Sequence, residues 1–162
     1  EYVRKSYFKT GSLFSALMDS VSVLANGGKS RFGPIGFYFG IAFQLVDDIL
    51  DFQANEDAAG KPVGGSDVAN GTVTLPVWLA AEDGENLTHS ERNELRTMIQ
   101  RRFGKLSDHS RTMDLVRKSD GIPKTKAVAQ WYVEQCEKFI VQKIGAKSPY
   151  YGPLVDLVRQ LA

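Results

Sequence analysis

The sequence contains few of the residues that form cross-links or bind soft metals. Its 162 residues include one cysteine, Cys136, and two histidines. A single cysteine cannot form a disulfide within the chain, so a reducing compartment is the simpler expectation. Cys136 lies in a segment with amphipathic helical spacing, which favours a core or interface thiol over a catalytic nucleophile.

A charge bias and a long uninterrupted apolar run are also absent. The chain has 20 basic and 19 acidic residues and a formal net charge of +1, which gives no reason to expect a nucleic-acid partner. Its most apolar stretch, residues 32–52, contains adjacent aspartates and is interrupted by glycine and proline, so we expect no transmembrane segment. The chain starts at Glu1, without an initiator methionine or an apolar signal-peptide core, so we expect a fragment or a processed product.

The alternation of apolar and polar residues that marks a half-buried strand is missing as well. Apolar residues instead recur every three or four positions, which predicts helices. Capping residues, glycines and prolines divide the chain into predicted helices at 2–25, 34–52, 72–82, 88–104, about 113–121, 123–145 and 148–161, with a loop at 53–71. With 43% hydrophobic and 24% charged residues, the composition is that of one globular domain with a core. The predicted fold class is therefore all-α.

An acidic face on the second predicted helix is the most informative pattern. Gln44, Asp47, Asp48 and Asp51 share this face, and apolar residues flank it. Like charges three or four positions apart repel, and no lysine or arginine lies within one helical turn, so we expect an external cation. Carboxylate oxygens suit Mg²⁺, which shares its coordination shell with substrate phosphates, whereas zinc prefers histidine and cysteine. The alternative is a solvated acidic face, which the near absence of other charges on this helix disfavours.

Two cationic segments could complement the acids. Lys61 lies in the glycine-rich segment 60–67, whose backbone amides can cradle a phosphate. Lys9 and Thr10 form a second pair upstream. The alternative for Lys9 is a surface lysine whose stem covers apolar neighbours. Beside the aspartates, both segments are consistent with a diphosphate bridged by Mg²⁺.

Together these residues resemble the trans-isoprenyl diphosphate synthase (polyprenyl synthetase) family. Phe43-Gln44-x-x-Asp47-Asp48-x-x-Asp51 resembles its second aspartate-rich motif, and Lys9-Thr10 resembles the lysine–threonine pair upstream. Similar segments follow at Gly60-Lys61, Asp67, residues 71–76, and the helix that starts near Gly121-Ile122 and continues through Ala127, Ala129 and Tyr132. The sequence of residues 5–10 is most similar to that of long-chain members of the solanesyl and decaprenyl type. The loop at Gly64-Gly65 is one residue longer than usual, which affects the alignment of Asp67.

The resemblance implies the antiparallel helical bundle of the isoprenoid synthase fold, with residues 1–162 forming its C-terminal portion. The N-terminal helices and the first aspartate-rich motif would then lie outside this chain. It implies that Mg²⁺ is held by Asp47, Asp48 and Asp51. It assigns catalysis to Asp47, Asp48, Lys9 and Lys61, and substrate binding to Lys9, Thr10, Phe43, Gln44 and Lys61.

The implied reaction is head-to-tail prenyl transfer. Mg²⁺ and cationic side chains assist ionisation of an allylic diphosphate, and isopentenyl diphosphate attacks the resulting carbocation. A homodimer or heteromer is expected for the full-length protein, in the cytoplasm or in a mitochondrial or plastid matrix. The isolated chain is expected to be inactive because its metal cluster would be held from one side only. These residues do not fix the length of the product.

Three alternatives come from other functional classes. A terpene cyclase of the same fold would share the ionisation step, but its second metal motif usually mixes Asn, Ser or Thr with Glu, which Asp47-Asp48-x-x-Asp51 does not. A non-catalytic subunit of a prenyl synthase is disfavoured by the intact site residues. A helical interaction domain without a ligand should gain no thermal stability from Mg²⁺ plus diphosphate.

Overall fold

Helices account for every regular element that the structure, a computed structural model, describes in residues 1–25, 31–53 and 64–161. This confirms the all-α prediction. The helices are α1 (Tyr2–Ser6), a π-helical segment (Tyr7–Gly11), α2 (Ser12–Ala25), α3 (Gly33–Gln53), α4 (Ser66–Ala69), α5 (Leu75–Asp83), α6 (His89–Gln100), α7 (Asp108–Lys118), α8 (Gly121–Ile144) and α9 (Tyr151–Arg159).

The start of α6 follows directly from its sequence. The Thr88 hydroxyl accepts a hydrogen bond from the Glu91 amide at 3.2 Å, and the Glu91 carboxylate accepts one from the Thr88 amide at 2.9 Å. This reciprocal capping box satisfies two backbone donors that the helix itself cannot pair. The helix ends earlier than predicted, because Arg102 and Phe103 adopt left-handed conformations with φ of 53° and 55°. Gly104 is thus not the residue that stops it.

Other boundaries also differ from the prediction. The predicted helix 2–25 is interrupted by the π-helical segment, and the predicted loop 53–71 contains the short helix α4. Helix α8 begins at Gly121 rather than at 123, because the Ser119 hydroxyl accepts a hydrogen bond from the Gly121 amide at 3.0 Å. Glycine is needed there, since an added Cβ would lie 2.4 Å from the Pro76 carbonyl oxygen.

The chain divides into two compact units, and α3 and α8 contribute residues to both. The first comprises Glu1–Val46 and Ala127–Ala162, and the second comprises Asp47–Lys126. The first unit has an apolar core that includes Ile35, Ala42, Val133, Cys136, Ile140, Val155 and Val158. The buried Cys136 confirms the prediction of a core thiol.

The core of the second unit is built largely from α5, α6 and α7. Its buried side chains include Phe52, Val77, Leu95, Met98, Leu115 and Val116. The second unit also contains an ion pair with a buried carboxylate. Arg101 Nε donates to Asp108 Oδ2 at 2.7 Å, and Asp108 is 1% exposed. The guanidinium beside Asp108 lowers the pKa of that carboxyl below its ordinary value. A buried carboxylate needs such a partner, because desolvation disfavours its charged form.

Candidate functional site

In the first unit, the predicted lysine–threonine pair lies in the π-helical segment Tyr7–Gly11. Lys9 is exposed and Thr10 is half-buried. The Thr10 hydroxyl donates a hydrogen bond of 2.6 Å to Gln44 Oε1. Gln44 is only 4% exposed. Two residues that the resemblance assigns to substrate binding therefore form a hydrogen-bonded pair, and Thr10 lies in the kind of helix distortion that often marks a functional site.

Glycines explain how this contact becomes possible. An added Cβ on Gly40 would lie 2.6 Å from the Gly11 Cα, and one on Gly36 would lie 2.2 Å from the Phe14 carbonyl oxygen. The π-helical segment and α2 thus pass α3 in backbone contact at these positions. This close crossing sets Thr10 within hydrogen-bond distance of a side chain that is 34 residues away.

Phe43 precedes Gln44 and is 44% exposed. Its ring lies 5.9 Å from that of Phe14 and 6.4 Å from that of Phe39, measured between centroids. Phe43 therefore presents a partly exposed aromatic ring next to Gln44 in the sequence, and its role as a substrate contact stays a prediction.

In the second unit, the aspartates of α3 have different environments. Asp47 is exposed, Asp48 is only 2% exposed and Asp51 is half-buried. The sequence predicts an external cation for these acids, but Asp47 and Asp48 both already have interaction partners within the structure. Sequence reasoning considered only neighbours within one helical turn, whereas a partner can come from any other element.

The carboxylate of Asp51 accepts hydrogen bonds from the start of α4. Its Oδ1 accepts hydrogen bonds from the amide and the hydroxyl of Ser66, each at 3.0 Å, and its Oδ2 accepts one from the Asp67 amide at 3.1 Å. The Asp51 carbonyl also accepts from the Gly65 amide at 2.9 Å. Asp51 therefore caps the amino end of α4. The two flanks of residues 54–63 meet here, and the predicted site residue Lys61 lies outside the described residues.

Sequence reasoning missed two residues that contact this region. His109 Nε2 lies 3.1 Å from the Gly65 carbonyl oxygen, and Arg117 Nε donates to the Phe52 carbonyl oxygen at 2.9 Å. Gly65 has φ of +71°, and an added Cβ would lie 2.4 Å from His109 Nε2. Local sequence patterns do not predict these contacts, because the partners are 44 and 65 residues apart in sequence.

The carboxylates of α3 can be compared with the coordination that Mg²⁺ requires. In the parts of the chain that the structure describes, no three His, Cys, Asp or Glu side chains come together as a metal site. Mg²⁺ does not require such a site, since it usually binds one or two carboxylates and completes its shell with waters and substrate phosphates. Exposed Asp47 fits that requirement, with Asp48 next to it in the sequence.

The comparison with protein families decides the identity of the chain. The sequence model of the polyprenyl synthetase family matches residues 1–116. The chain belongs to this family. The matched range includes the Lys9-Thr10 pair and the Phe43–Asp51 motif, which confirms the resemblance found in the sequence.

Individual relatives agree. A prenyl transferase of Synechocystis sp. is 34% identical over 131 residues, and the chloroplastic solanesyl-diphosphate synthase 2 of Oryza sativa is 33% identical over 133 residues. These alignments cover 79% and 80% of this chain but 38% and 31% of the relatives. The chain thus spans less than half the length of the curated relatives it matches.

Solved structures show the same relationship at the level of the fold. Heptaprenyl diphosphate synthase from Staphylococcus aureus aligns with a TM-score of 0.78 and 28% identity, over 99% of this chain and 48% of that one. A decaprenyl diphosphate synthase from Rhodobacter capsulatus aligns with a TM-score of 0.77 and 26% identity. The predicted isoprenoid synthase fold is therefore confirmed. Among the described helices, none has the length and apolar character needed to cross a membrane.

Proposed function

We propose that this chain carries the diphosphate-ionising part of a trans-prenyltransferase. The enzyme would condense isopentenyl diphosphate onto an allylic diphosphate to make a polyprenyl diphosphate. One observation carries the proposal: the match to the polyprenyl synthetase family spans residues 1–116 and so includes both the Lys9-Thr10 pair and the aspartates of α3. The Synechocystis relative is itself a prenyl transferase.

Asp47 and Asp48 are the proposed ligands of Mg²⁺, and Asp51 completes the predicted motif. Bound Mg²⁺ would neutralise charge on the diphosphate leaving group. Asp47 is exposed, so its carboxylate is accessible to an ion that a substrate diphosphate also coordinates. Asp48 is the second proposed ligand, and its carboxylate would have to reach the ion from a position that is only 2% exposed.

Cationic and polar side chains would bind the diphosphate directly. Lys9 and Lys61 are the proposed cations. Thr10 donates to Gln44 Oε1, and this hydrogen bond fixes which way the Gln44 amide points. Phe43 would present an aromatic surface to the carbocation, since an aromatic face stabilises a cation.

The complete reaction needs residues beyond these. We propose that the first aspartate-rich motif and the isopentenyl diphosphate site are supplied by an N-terminal portion, within a homodimer or heteromer. Relatives include mitochondrial and chloroplastic enzymes, so an organellar matrix or the cytoplasm is the proposed location. The isolated chain is then expected to lack prenyl transfer.

The metal assignment is tested by calorimetry of Mg²⁺ with and without pyrophosphate. Binding should be markedly tighter with pyrophosphate, and Asp47→Ala should abolish that difference. Asp156→Ala on α9 is the matched control, because Asp156 is an exposed acid outside the motif. Asp83 is unsuitable as a control because its carboxylate pairs with Lys124 at 2.8 Å. Equal Mg²⁺ affinity with and without pyrophosphate would contradict the shared coordination shell.

The reaction is tested by incorporation of labelled isopentenyl diphosphate. The chain alone should give no product, and the chain combined with the N-terminal half of a full-length relative should give polyprenyl product. In that combination Asp47→Ala should lower turnover by about 10² or more, the usual cost of losing one electrostatic contact to a developing charge. Robust activity of the chain alone would show that its own assembly completes the site. Release of pyrophosphate without use of isopentenyl diphosphate would favour the cyclase alternative.

A further inference from the structure

The carboxyl-terminal turn of α3 is joined to residues 65–67 by hydrogen bonds that the proposed reaction does not use. Asp51 belongs to the predicted metal-binding motif, yet both of its carboxylate oxygens face polypeptide donors. It accepts three hydrogen bonds, from the amide and hydroxyl of Ser66 and from the amide of Asp67. An ionised carboxylate has about four lone-pair positions. Little acceptor capacity therefore remains on Asp51 for a metal ion.

A second set of contacts braces the same turn. The last four carbonyls of a helix have no partner within the helix. In α3 two of them are satisfied from outside: the Asp51 carbonyl accepts from the Gly65 amide, and the Phe52 carbonyl accepts from Arg117. His109 Nε2 lies 3.1 Å from the Gly65 carbonyl oxygen. A carbonyl can only accept, so this nitrogen of His109 carries the proton.

These contacts hold the helix end that bears the metal ligands. Asp47 and Asp48 lie one turn before Asp51 on α3. Helix ends fray unless their free carbonyls and their neighbours are fixed. Fixing Asp51 to Ser66 and Asp67 therefore limits movement of the turn that presents Asp47 and Asp48. Groups that orient metal ligands in this way affect metal affinity without touching the ion.

We infer that Asp51 is a positioning residue, whose carboxylate ties Ser66 and Asp67 to the end of α3 with His109 as a brace. We call Asp51, Ser66, His109 and Arg117 the α3 anchor. Its existence rests on the hydrogen bonds alone. Its effect on metal binding rests on the proposed function, in which Asp47 and Asp48 bind Mg²⁺ with a diphosphate.

Amide hydrogen exchange on the complete 162-residue chain tests the anchor itself. Asp51→Ala should make the Ser66 and Asp67 amides exchange about tenfold faster, because each loses its acceptor. Ser110→Ala is the control, since Ser110 is an exposed serine on the same helix as His109. It should leave both amides protected as in the wild type. Unchanged exchange of Ser66 and Asp67 in Asp51→Ala would overturn the inference.

Magnesium titration in the presence of pyrophosphate tests what the anchor does. Asp51→Asn and Ser66→Ala should each weaken Mg²⁺ binding about tenfold, the lower end of the usual effect of residues that orient ligands. The double variant should bind little worse than Asp51→Asn alone, because the hydroxyl hydrogen bond that Ser66→Ala removes is one of those that Asp51→Asn already disturbs. If Asp51 is instead a ligand, Asp51→Asn should weaken binding strongly while Ser66→Ala binds like the wild type. That result would overturn the inference.

Substitutions of His109 separate positioning from a general loss of stability. His109→Gln keeps an N–H donor for the Gly65 carbonyl and should retain Mg²⁺ affinity, whereas His109→Leu should weaken it. Arg111→Gln is a matched control, because Arg111 lies on the same helix as His109 and its substitution breaks only an exposed pair with Glu94 of α6. It should not change Mg²⁺ affinity, and an equal loss in His109→Gln and His109→Leu would count against the brace. If the wild type itself binds no Mg²⁺ with pyrophosphate, the proposed function fails, and the exchange of Ser66 and Asp67 alone decides the anchor.

Discussion

Thr10 and Gln44 lie 34 residues apart in sequence, and the hydroxyl of the first donates a 2.6 Å hydrogen bond to the amide oxygen of the second. Because Gln44 is almost fully buried, this bond fixes the side chain that precedes the aspartates by one turn. The hydrogen bond therefore links the Lys9-Thr10 pair to the motif that begins at Phe43, and both lie inside the range that the family model matches.

Replacing the Thr10 hydroxyl should therefore affect both stability and binding. Thr10→Val should lower the free energy of unfolding by about 1 kcal/mol, the usual net value of one hydrogen bond. It should also weaken binding of pyrophosphate with Mg²⁺, because Gln44 loses the donor that orients it. Thr10→Ser keeps the hydroxyl and is the control. Denaturant unfolding and calorimetry measure the two effects, and similar values for Val and Ser would refute the role of the bond.

The close crossing of α2 and α3 should not tolerate a larger residue at Gly36. Gly36→Ala puts a methyl group 2.2 Å from the Phe14 carbonyl oxygen, so the backbones must separate. We expect a loss of about 1–3 kcal/mol or more, as for other overpacked sites.

Gly152→Ala is the control for this substitution, because an added Cβ at Gly152 in α9 meets nothing within 4 Å. Alanine is the better helix former, so this variant should be unchanged or slightly more stable. Thermal unfolding distinguishes the two variants. Equal melting temperatures would show that the crossing can open without cost.

The capping box of α6 should make stability depend on pH in the acid range. Hydrogen bonds from Lys118 and Thr88 lower the pKa of Glu91 from 4.5 to about 2. A lowered pKa stabilises the fold above the ordinary value, and this contribution is lost as the pH falls from about 4.5 to about 2.

Glu91→Gln should therefore unfold at a lower temperature than the wild type at pH 6, and the difference should shrink as the pH approaches 2. Glu134→Gln, at an exposed glutamate of α8, is the matched charge change. Melting curves at a series of pH values provide the comparison. A difference that stays constant between pH 6 and pH 2 would contradict the lowered pKa of Glu91.

The thiol of Cys136 should be unreactive in the folded chain. Burial raises its pKa from 9.0 to about 12, so the nucleophilic thiolate is scarce at pH 8. A chromogenic disulfide reagent at pH 8 should label the chain only after unfolding in denaturant. The assay reports on this residue alone, because the chain has one cysteine. Rapid stoichiometric labelling of the folded chain would refute the buried thiol.

The same shift predicts a loss of stability at high pH. The unfolded chain releases this proton near pH 9.0 and the folded chain only near pH 12, so the contribution of Cys136 is present below pH 9 and falls away between the two values. Cys136→Val removes this dependence. Its stability should therefore decline less steeply than that of the wild type between pH 9 and pH 11, as denaturant unfolding can measure.

The sequence by itself determined the features that depend on neighbours within one or two helical turns. The spacing of apolar residues identified the helices, the reciprocal bonds of Thr88 and Glu91 set the start of α6, and the acids of α3 identified the family motif. These interactions span three or four positions, so the local chain contains both partners. The site roles of Lys9, Lys61 and the aspartates remain predictions.

Only the tertiary structure decided which groups meet across long stretches of chain. It paired Thr10 with Gln44, directed the Asp51 carboxylate to Ser66 and Asp67, and set His109 and Arg117 beside the end of α3. Helix propensity and periodicity do not specify such pairs, because they depend on how closely two helices pack and at which residue a helix ends. A glycine that permits backbone contact, such as Gly40, decides that distance, and its effect becomes visible only when the opposing residue is known.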